Sequence, residues 1–487
     1  MTATGNRRAQ RRALTYRRGM TADVGADVTY DLVVLGTGSG GEVVAGEVAR
    51  AGGTVAAVDA GLFGGECPYV ACVPSKAMLL AAREHVLVGG EHAGAFGRAI
   101  LRRDETAEHR HDDGAVKGLA DDGIEVVRGR GTLAGRAGDD LLVEVDGRRL
   151  RARAVVLGTG SEPAVPPLEG LDDVPTWTSD QALSSPDLPS RLAILGGGAV
   201  GCELAQVYAS FGTHVILMES GEHLLASEPA WVGAILAGAL RDLGVDVRLG
   251  VRITGATPRG DGLRLVVEDG PGVDADRLLV AVGRRPRSAD LGLATVGCAP
   301  AEDGSLTVDA RCRVLGADGA PVAGLFAVGD VTGIAPYTHT ANYQGRIVAA
   351  HLRGTGRDAD YSGIPRAVYT DPTVFGVGEQ AQQARARGVH ALVDGTDVAD
   401  TGRGFIAGVG AGRVELVVDA ATGRLIGASA IGPEADSWAG ELALAVRAGL
   451  DVDLLSDHVH AFPAWSEAIQ PAASRLAEQV RTIRASA

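Results

Sequence analysis

The sequence has few aromatic residues, few cysteines and no long apolar run. Aromatic residues make up 4% of the 487 residues, and the five cysteines are an odd and sparse set. Such a set does not fit the disulfide framework of a small secreted protein. No apolar run reaches the roughly 18 residues of a membrane-spanning helix, and the N-terminus lacks the apolar centre of a secretory signal. We therefore expect a cytoplasmic protein with no membrane partner.

The chain also lacks an excess of basic residues. Its formal net charge is −15, from 46 Lys and Arg against 61 Asp and Glu. Binding to nucleic acid would need a basic face, so a small-molecule partner is expected instead. Residues 1–27 are rich in arginine but have no hydrophobic pattern, which predicts a disordered tail or an over-long start before a true initiator at Met20.

Glycine is present in excess. The 70 glycines are far above the roughly 7% average and have no collagen-like period, so many turns are expected to bring the backbone close to ligands or to other backbone. Hydrophobic residues make up 46% and charged residues 22%, as in ordinary globular proteins. A chain of this length predicts about two to four domains.

Two segments about 160 residues apart share one pattern of strand, glycine-rich turn, helix and strand. The first has a strand at 30–35, a helix at 43–50 and a strand at 54–59, and the second covers 192–219. This pattern is typical of nucleotide-binding units, and its repetition predicts two dinucleotides. After about residue 365, strands at 414–418 and 425–431 and a helix at 439–449 predict an α+β C-terminal domain.

The first turn carries a GxGxxG fingerprint, Gly36-Thr37-Gly38-Ser39-Gly40-Gly41. The first glycine allows the tight turn, the second admits a pyrophosphate to the backbone, and the third lets helix and strand pack closely. The free N–H groups of the helix N-terminus favour the phosphate. Asp59, at the end of the next strand, is spaced to accept hydrogen bonds from a ribose.

The second turn carries the fingerprint Gly196-Gly197-Gly198-Ala199-Val200-Gly201, and Glu219 ends the following strand. A carboxylate there accepts hydrogen bonds from the two ribose hydroxyls and repels a 2′-phosphate. A 2′-phosphate site would favour arginines. The second unit therefore predicts NAD(H) rather than NADP(H).

A close cysteine pair lies between the two units, in Gly64-Gly65-Glu66-Cys67-Pro68-Tyr69-Val70-Ala71-Cys72-Val73-Pro74-Ser75-Lys76. A structural disulfide, half of a metal site and a redox couple are the alternatives. The expected compartment disfavours the first, and the nearby sequence lacks further ligands for a zinc site, so no metal is predicted. If a helix begins near Pro74, its dipole lowers the pKa of the Cys72 thiol and favours reversible exchange.

This segment resembles the GGTCxNxGCxPSK active site of the class I pyridine nucleotide-disulfide oxidoreductases, the family of dihydrolipoamide dehydrogenase and mercuric reductase. The resemblance covers nearly the whole chain after the tail. Residues 158–161 resemble the family's ATG flavin motif, and 282–286 resemble its GRxP segment. Residues 326–330 resemble the strand whose aspartate holds the FAD ribityl chain.

The family resemblance implies an α/β fold with two Rossmann-like domains, for FAD and NAD, and an α+β C-terminal dimerisation domain. The expected divisions are 28–170 for the first part of the FAD-binding domain, 171–296 for the NAD-binding domain, 297–364 for the second, central part of the FAD-binding domain, and 365–487 for the dimerisation domain.

The resemblance also implies roles for matching residues. Cys72 is the thiolate that contacts the flavin, and Cys67 is the thiol that exchanges with substrate. Lys76 lies near the flavin N5 and pairs with Glu203. His339 is expected to be structural rather than catalytic. With the fingerprints, the resemblance assigns to FAD Gly36, Gly38, Ser39, Gly41, Asp59, Gly65, Glu66, Lys76, Gly131, Thr159, Gly160, Ser161, Arg284, Gly329, Asp330, Tyr337, Thr338 and His339, and to NAD Gly196, Gly198, Ala199, Val200, Gly201, Glu203, Glu219 and Gly283.

The chain departs from its disulfide-reducing relatives at a C-terminal HxxxxE pair. In those relatives the pair reaches across the dimer, and its histidine shuttles a proton. Glu467 aligns with the glutamate, but Phe462 occupies the base position. His460 lies two residues earlier, roughly 6–7 Å away in an extended segment. His460 is therefore either a substitute base or a structural residue.

These features predict a homodimeric flavoenzyme in which two electrons pass from NADH through FAD to a Cys67–Cys72 disulfide. Loss of the base makes efficient dihydrolipoamide turnover doubtful, and mercuric reductase's C-terminal cysteine pair has no counterpart after Cys312. The acceptor is therefore open. A disulfide, dihydrolipoamide in reverse, a mercuric or copper ion, and a quinone remain alternatives. A different class of function is a flavoprotein subunit of a larger complex.

Overall fold

The computed structural model describes residues 29–486. The predicted tail at 1–27 lies outside the described residues. Within the described range, none of the helices is both long and apolar enough to cross a membrane.

The first nucleotide-binding unit lies in an eight-stranded sheet. Its elements are β1 Thr29–Leu35, α1 Ser39–Arg50, β2 Val55–Asp59, α2 Glu66–Tyr69, α3 Cys72–Val88, α4 His92–Thr106, α5 Asp113–Asp121, β3 Glu125–Arg128, β4 Gly131–Ala137, β5 Asp140–Val145, β6 Arg148–Leu157 and β7 Ser161–Pro163. Strand β1 pairs in parallel with β2 and β6, and β2 pairs in parallel with β3. The predicted strand at 30–35 is confirmed as β1, in which Leu32, Val33 and Val34 are fully buried.

The second unit repeats this arrangement on a smaller scale. Its elements are β8 Thr176–Trp177, α6 Ser179–Ser184, β9 Arg191–Leu195, α7 Ala199–Ser210, β10 His214–Met218, α8 Ala230–Asp242, β11 Asp246–Arg248, β12 Ile253–Arg259, β13 Gly262–Val267, β14 Val273–Ala275, β15 Arg277–Val280 and β16 Arg284–Pro286. Five strands form a parallel sheet in the order β11, β10, β9, β15, β8, and β12 to β14 form a separate antiparallel sheet. Strand β16 pairs with β7 of the first unit.

The chain then returns to the first sheet. Strands β17 Arg313–Leu315 and β18 Pro321–Ala327 extend that sheet next to β6, and helix α9 Thr338–Leu352 packs against α1. Gly40 and Gly345 permit this close packing, because a Cβ on Gly345 would lie 2.7 Å from the carbonyl oxygen of Gly40. The first domain is therefore assembled from two separate stretches of sequence.

The C-terminal region is an α+β unit, as predicted. Its elements are β19 Arg366–Val368, β20 Thr373–Gly378, α10 Ala381–Ala386, β21 Ala391–Asp397, α11 Gly402–Ala407, β22 Arg413–Asp419, β23 Leu425–Gly432, α12 Ala435–Trp438, α13 Gly440–Ala448, α14 Val452–Asp457 and α15 Ile469–Ser486. The five strands are antiparallel in the order β19, β20, β23, β22, β21. Helices α13 and α15 cover this sheet with apolar residues such as Leu442 and Leu476. The domain boundaries given above stay predictions.

Candidate active site

The two cysteines lie at the start of helix α3. Cys72 is its first residue and Cys67 lies in the short preceding helix α2, so the predicted position of Cys72 at a helix N-terminus is confirmed. Both are half-buried free thiols. The Thr338 hydroxyl donates a hydrogen bond to Cys67 Sγ at 3.2 Å, and its oxygen lies 3.3 Å from Cys72 Sγ. One threonine of α9 therefore holds both sulfurs.

The surroundings shift the pKa values of the two thiols in opposite directions. The pKa of Cys72 is lowered, chiefly because Cys67 donates a hydrogen bond to its sulfur, with smaller contributions from Thr338 and the Lys76 charge. The same hydrogen bond, together with burial, raises the pKa of Cys67. In the reduced pair the anion therefore resides on Cys72, and the proton stays on Cys67.

An ion pair lies one helical turn further along α3. Lys76 Nζ lies 2.8 Å from Glu203 Oε2 and 3.1 Å from Oε1, which joins α3 to α7 as predicted. The Tyr369 N–H donates to Glu203 Oε1 at 3.0 Å, and Lys76 Nζ lies 4.6 Å from the centre of the Tyr369 ring. Tyr369 was not predicted, because only the fold brings the end of β19 to this pair.

Four residues that the motifs assigned to FAD form one network. Arg284 donates to Glu66 Oε2 at 2.5 Å and to Ser161 Oγ at 2.7 Å. The Ser161 hydroxyl donates in turn to Asp330 Oδ2 at 2.6 Å. The network therefore joins α2, the helix that carries Cys67, to β7, β16 and the turn after β18.

The first glycine fingerprint forms a cradle at the N-terminus of α1. A Cβ on Gly36, whose φ is +92°, would lie 2.4 Å from the Gly158 carbonyl oxygen, and a Cβ on Gly41 would lie 2.1 Å from that of Gly36. Gly38 differs, since its nearest neighbour is the Cα of Gly65 at 3.9 Å. Two glycines are thus needed for packing, while Gly38 leaves an open backbone surface that fits a pyrophosphate.

Asp59 lies where the fingerprint requires an acidic residue. Its Oδ2 accepts a hydrogen bond from the Thr37 N–H at 2.7 Å, and Oδ1 accepts one from the Gly61 N–H at 2.8 Å.

Glu42, in the first turn of α1, was missed by sequence reasoning. Burial, and secondarily the Asp59 charge, raises the pKa of Glu42 to about 7. No motif marks Glu42, because its burial comes from the surrounding fold.

The other residues assigned to FAD lie around these groups. Gly131 begins β4, where a Cβ would lie 2.6 Å from Leu35 Cδ2. The Gly160 carbonyl accepts from the Arg287 N–H, and the Thr159 hydroxyl donates to the Arg287 carbonyl. The Gly329 N–H donates to Gln344. Tyr337 stacks on His339 at 5.1 Å, and His339 Nε2 lies 2.8 Å from the Pro365 carbonyl oxygen, the kind of contact that a structural role predicts.

The second fingerprint repeats the cradle at the N-terminus of α7. A Cβ on Gly201 would lie 1.9 Å from the Gly196 carbonyl oxygen, whereas nothing lies within 4 Å of a Cβ on Gly198. Glu219 accepts the Gly197 N–H at 2.6 Å, in the same way that Asp59 accepts the Thr37 N–H. Ala199 and Val200 are the exposed first residues of α7, and Gly283, also assigned to NAD, is exposed. The repeat therefore extends from sequence to hydrogen bonding.

The C-terminal segment does not join the candidate base to Glu467. Phe462 is 79% exposed, while the His460 side chain is only 5% exposed. His460 Nε2 lies 2.9 Å from Glu441 Oε1, and Glu467 Oε1 instead accepts the Arg403 N–H at 2.8 Å. His460 is therefore paired with Glu441 rather than with Glu467, and its role as a substitute base or a structural residue stays a prediction.

Comparisons with known proteins agree with this arrangement. A family model described as pyridine nucleotide-disulphide oxidoreductase matches residues 30–345, and the model of that family's dimerisation domain matches residues 364–473. Dihydrolipoyl dehydrogenase of Thermus scotoductus is 35% identical over 469 residues, which cover 93% of this chain and 98% of that protein. The protein of the same name from Halobacterium salinarum is 31% identical over 470 residues, with coverage of 93% and 98%.

Solved structures give the same result. The Cu(II) complex of the HOCl-induced flavoprotein disulfide reductase RclA from Escherichia coli has a TM-score of 0.81 and 28% identity, over 92% of this chain and 100% of that one. LpdA from Mycobacterium tuberculosis has a TM-score of 0.80 and 26% identity, over 92% and 100% of the two chains. The chain therefore belongs to the pyridine nucleotide-disulphide oxidoreductase family, as a flavoenzyme that uses FAD and NAD(H) in disulfide oxidoreduction.

Proposed function

We propose that this enzyme passes electrons from NADH to Cys67 and Cys72, and from Cys67 onward to Cu(II). The observation that carries the choice of acceptor is the pairing of a protonated Cys67 with an aromatic residue, Phe462, at the position of the family's base. A thiol that keeps its proton attacks a disulfide slowly when no base removes that proton. An acceptor that removes the proton by itself therefore suits this site.

A copper ion meets that requirement. Coordination to a metal deprotonates a thiol outright, so Cu(II) replaces the missing base at Cys67. The reduced pair, one thiol and one thiolate, gives one electron to each of two Cu(II) ions, which yields two Cu(I) ions, the Cys67–Cys72 disulfide and one proton, that of Cys67. The likeness to RclA, whose structure is a Cu(II) complex, supports this choice.

The chain's own residues would prepare the pair for this step. FAD, when bound, would supply the group that accepts the hydride of NADH and makes its electron pair available to the disulfide. Glu219 would orient the NADH ribose, and the Lys76–Glu203 pair would hold a positive charge near the reacting groups. Cys72 would remain as thiolate, which leaves Cys67 to bind the acceptor.

The active unit would be a cytoplasmic homodimer. In one chain, Phe405, Ile406, Val459 and Phe462 are all more than 60% exposed. Their elements adjoin, because Glu467 accepts the Arg403 N–H and Trp465 lies 5.2 Å from the Arg403 guanidinium. An apolar surface of this kind fits an interface between copies. The segment around Phe462 would then border the partner's cysteine pair.

The test measures NADH-dependent Cu(I) formation with a Cu(I)-specific chromogenic chelator, corrected for the enzyme-free rate. We expect activity in the wild type and its loss in Cys67→Ala, since that change removes the thiol that binds copper. Cys298→Ala is the matched control, a buried cysteine packed in the first domain. Equal Cu(II) reduction by Cys67→Ala and wild type would refute the proposal.

An assay with a quinone as acceptor distinguishes electron transfer directly from the flavin from transfer through the cysteines. Direct quinone reduction should survive the loss of Cys67. A dihydrolipoamide arm tests the second candidate function, which the 35% identity to a dihydrolipoyl dehydrogenase favours. High turnover of dihydrolipoamide without Cu(II) reduction would select that function. If the protein instead co-purifies with acyltransferase subunits and the isolated protein has negligible turnover, these results would support a role as a flavoprotein subunit of a larger complex.

A further inference from the structure

We propose that Glu441, His458 and His460 bind a first-row divalent cation of the Zn(II) class in the C-terminal domain. One donor atom from each residue lies within 4.8 Å of the other two. Glu441 comes from the first turn of α13, and the two histidines come from the extended segment after α14. The group is made of different residues from the cysteine pair, so the inference goes beyond the proposed function.

His460 is the buried member of the group. Its side chain is 5% exposed, and its Nε2 lies 2.9 Å from Glu441 Oε1. Its Nδ1 is buried and has no hydrogen-bond partner among the described residues. The nitrogen that faces Glu441 is Nε2, so Nε2 would be the His460 ligand of an ion held in this group.

His458 supplies an accessible second imidazole. Side chains two positions apart in an extended segment point to the same side, which brings the His458 and His460 rings to 4.7 Å between centres at an angle of 81°. His458 is exposed in one chain, so no part of that chain covers this side of the group. The sequence contained this His-x-His spacing, but Glu441 joins it only through the fold, which is why no metal site was predicted.

The donor set determines the class of cation. Two imidazole nitrogens and one carboxylate oxygen suit Zn(II) and its borderline neighbours, whereas Mg(II) and Ca(II) prefer oxygen donors. Ligands at about 2.0–2.1 Å around a tetrahedral ion lie roughly 3.4 Å apart, so small side-chain rotations close the group. Three protein donors leave one position for water. The bound ion would tie α13 to the segment that carries Phe462.

The alternative is a hydrogen-bonded Glu441–His460 pair with His458 stacked beside it and no ion. A titration of Zn(II) into the oxidised, FAD-loaded, full-length protein distinguishes the metal site from this alternative. X-ray absorption at the zinc edge then identifies the atoms that neighbour the bound ion. We expect one Zn(II) per chain with nitrogen and oxygen neighbours only. Zn(II) accepts no electrons here, so this result is independent of whether Cu(II) is the acceptor.

His458→Gln is the decisive variant, because an exposed residue can be changed without loss of the fold. We expect it to weaken Zn(II) binding by about tenfold or more, as for the loss of a direct ligand. His390→Gln is the matched control, an exposed histidine just before β21. Unchanged affinity in His458→Gln, or sulfur among the zinc neighbours, would overturn the proposal.

Discussion

At the residue scale, the choice of acceptor rests on Phe462, which stands where the family resemblance predicts a base. We predict that Phe462→His raises oxidation of dihydrolipoamide by NAD+ by on the order of 10²-fold or more, because a positioned base contributes about that much. Steady-state kinetics of the purified variant would measure the gain.

Val459→His is the control for this gain, since it adds an imidazole to the same segment at another exposed position. If Phe462→His and Val459→His are both as slow as the wild type, the loss of the base does not explain the choice of acceptor.

Thr338 contributes to the protonation of the cysteine pair. The pKa of Cys72 is lowered to about 6, first by Cys67 and then by Thr338 and Lys76, so its thiolate is present above about pH 6 and is lost as the pH falls through that value. In enzyme reduced anaerobically with NADH, the long-wavelength absorbance between thiolate and flavin should therefore titrate near pH 6. Thr338→Val removes the hydroxyl that contacts both sulfurs and helps to lower the pKa of Cys72, so it should raise this midpoint.

Thr340→Val provides the comparison on the same helix. The Thr340 hydroxyl is buried and has no hydrogen-bond partner among the described residues, so its loss should leave the midpoint where it is. A midpoint in Thr338→Val equal to that of the wild type would contradict the role given to this hydroxyl. An absorbance that persists unchanged in Cys72→Ser would contradict the assignment of the thiolate itself.

The sequence was informative about residues within motifs and silent about residues that meet only in the fold. The contact between Lys76 and Glu203 followed from the family resemblance. The Tyr369 N–H and the half-buried Glu42 were missed, because nothing near either residue in the sequence marks its partner. Hydrogen bonds between distant segments depend on tertiary packing, which a local pattern does not encode.

At the scale of elements, the glycines of each fingerprint have different roles, some in packing the helix against the turn and one in leaving the backbone open to the pyrophosphate. We predict that Gly201→Ala lowers the melting temperature, because its Cβ would lie 1.9 Å from the Gly196 carbonyl oxygen and would force α7 away from the turn. Gly198→Ala should keep the melting temperature, since nothing lies within 4 Å of its Cβ.

The expected cost of Gly198→Ala appears only when NADH binds. Its methyl group would occupy the backbone surface that fits the pyrophosphate, so KM for NADH should rise by about tenfold with FAD content unchanged. Thermal unfolding and NADH kinetics on the two variants check both statements. If Gly198→Ala destabilised the fold as much as Gly201→Ala, the assignment of different roles to these two glycines would be wrong.

Elements with a strong period were predicted well. The strands at 30–35, 414–418 and 425–431 correspond to β1, β22 and β23 within one residue at each end, because buried strands have short apolar runs between turns. The small sheet β12 to β14 and the pairing of β7 with β16 were not predicted. Short strands whose partners are distant in sequence lack a local signal.

At the scale of the molecule, the proposed dimer can be tested by substitutions on the exposed apolar surface formed by α11 and the Phe462 segment. We predict that Phe405→Glu converts the enzyme to monomers, because a charge in an apolar interface costs desolvation without a partner. The residue is 85% exposed in one chain, so its substitution should leave the fold of that chain intact. Size-exclusion chromatography with light scattering would measure the change.

The monomer should also separate the two halves of the reaction. The fingerprints and the cysteine pair lie within one chain, so NADH should still bleach the bound flavin in Phe405→Glu. Transfer to the acceptor should fall, because the monomer lacks the partner's Phe462 segment, which we propose borders the cysteine pair. Val266→Glu, an exposed position on β13 in the second unit, is the control and should remain dimeric and active. A fully active monomer would mean that each chain completes its own acceptor site.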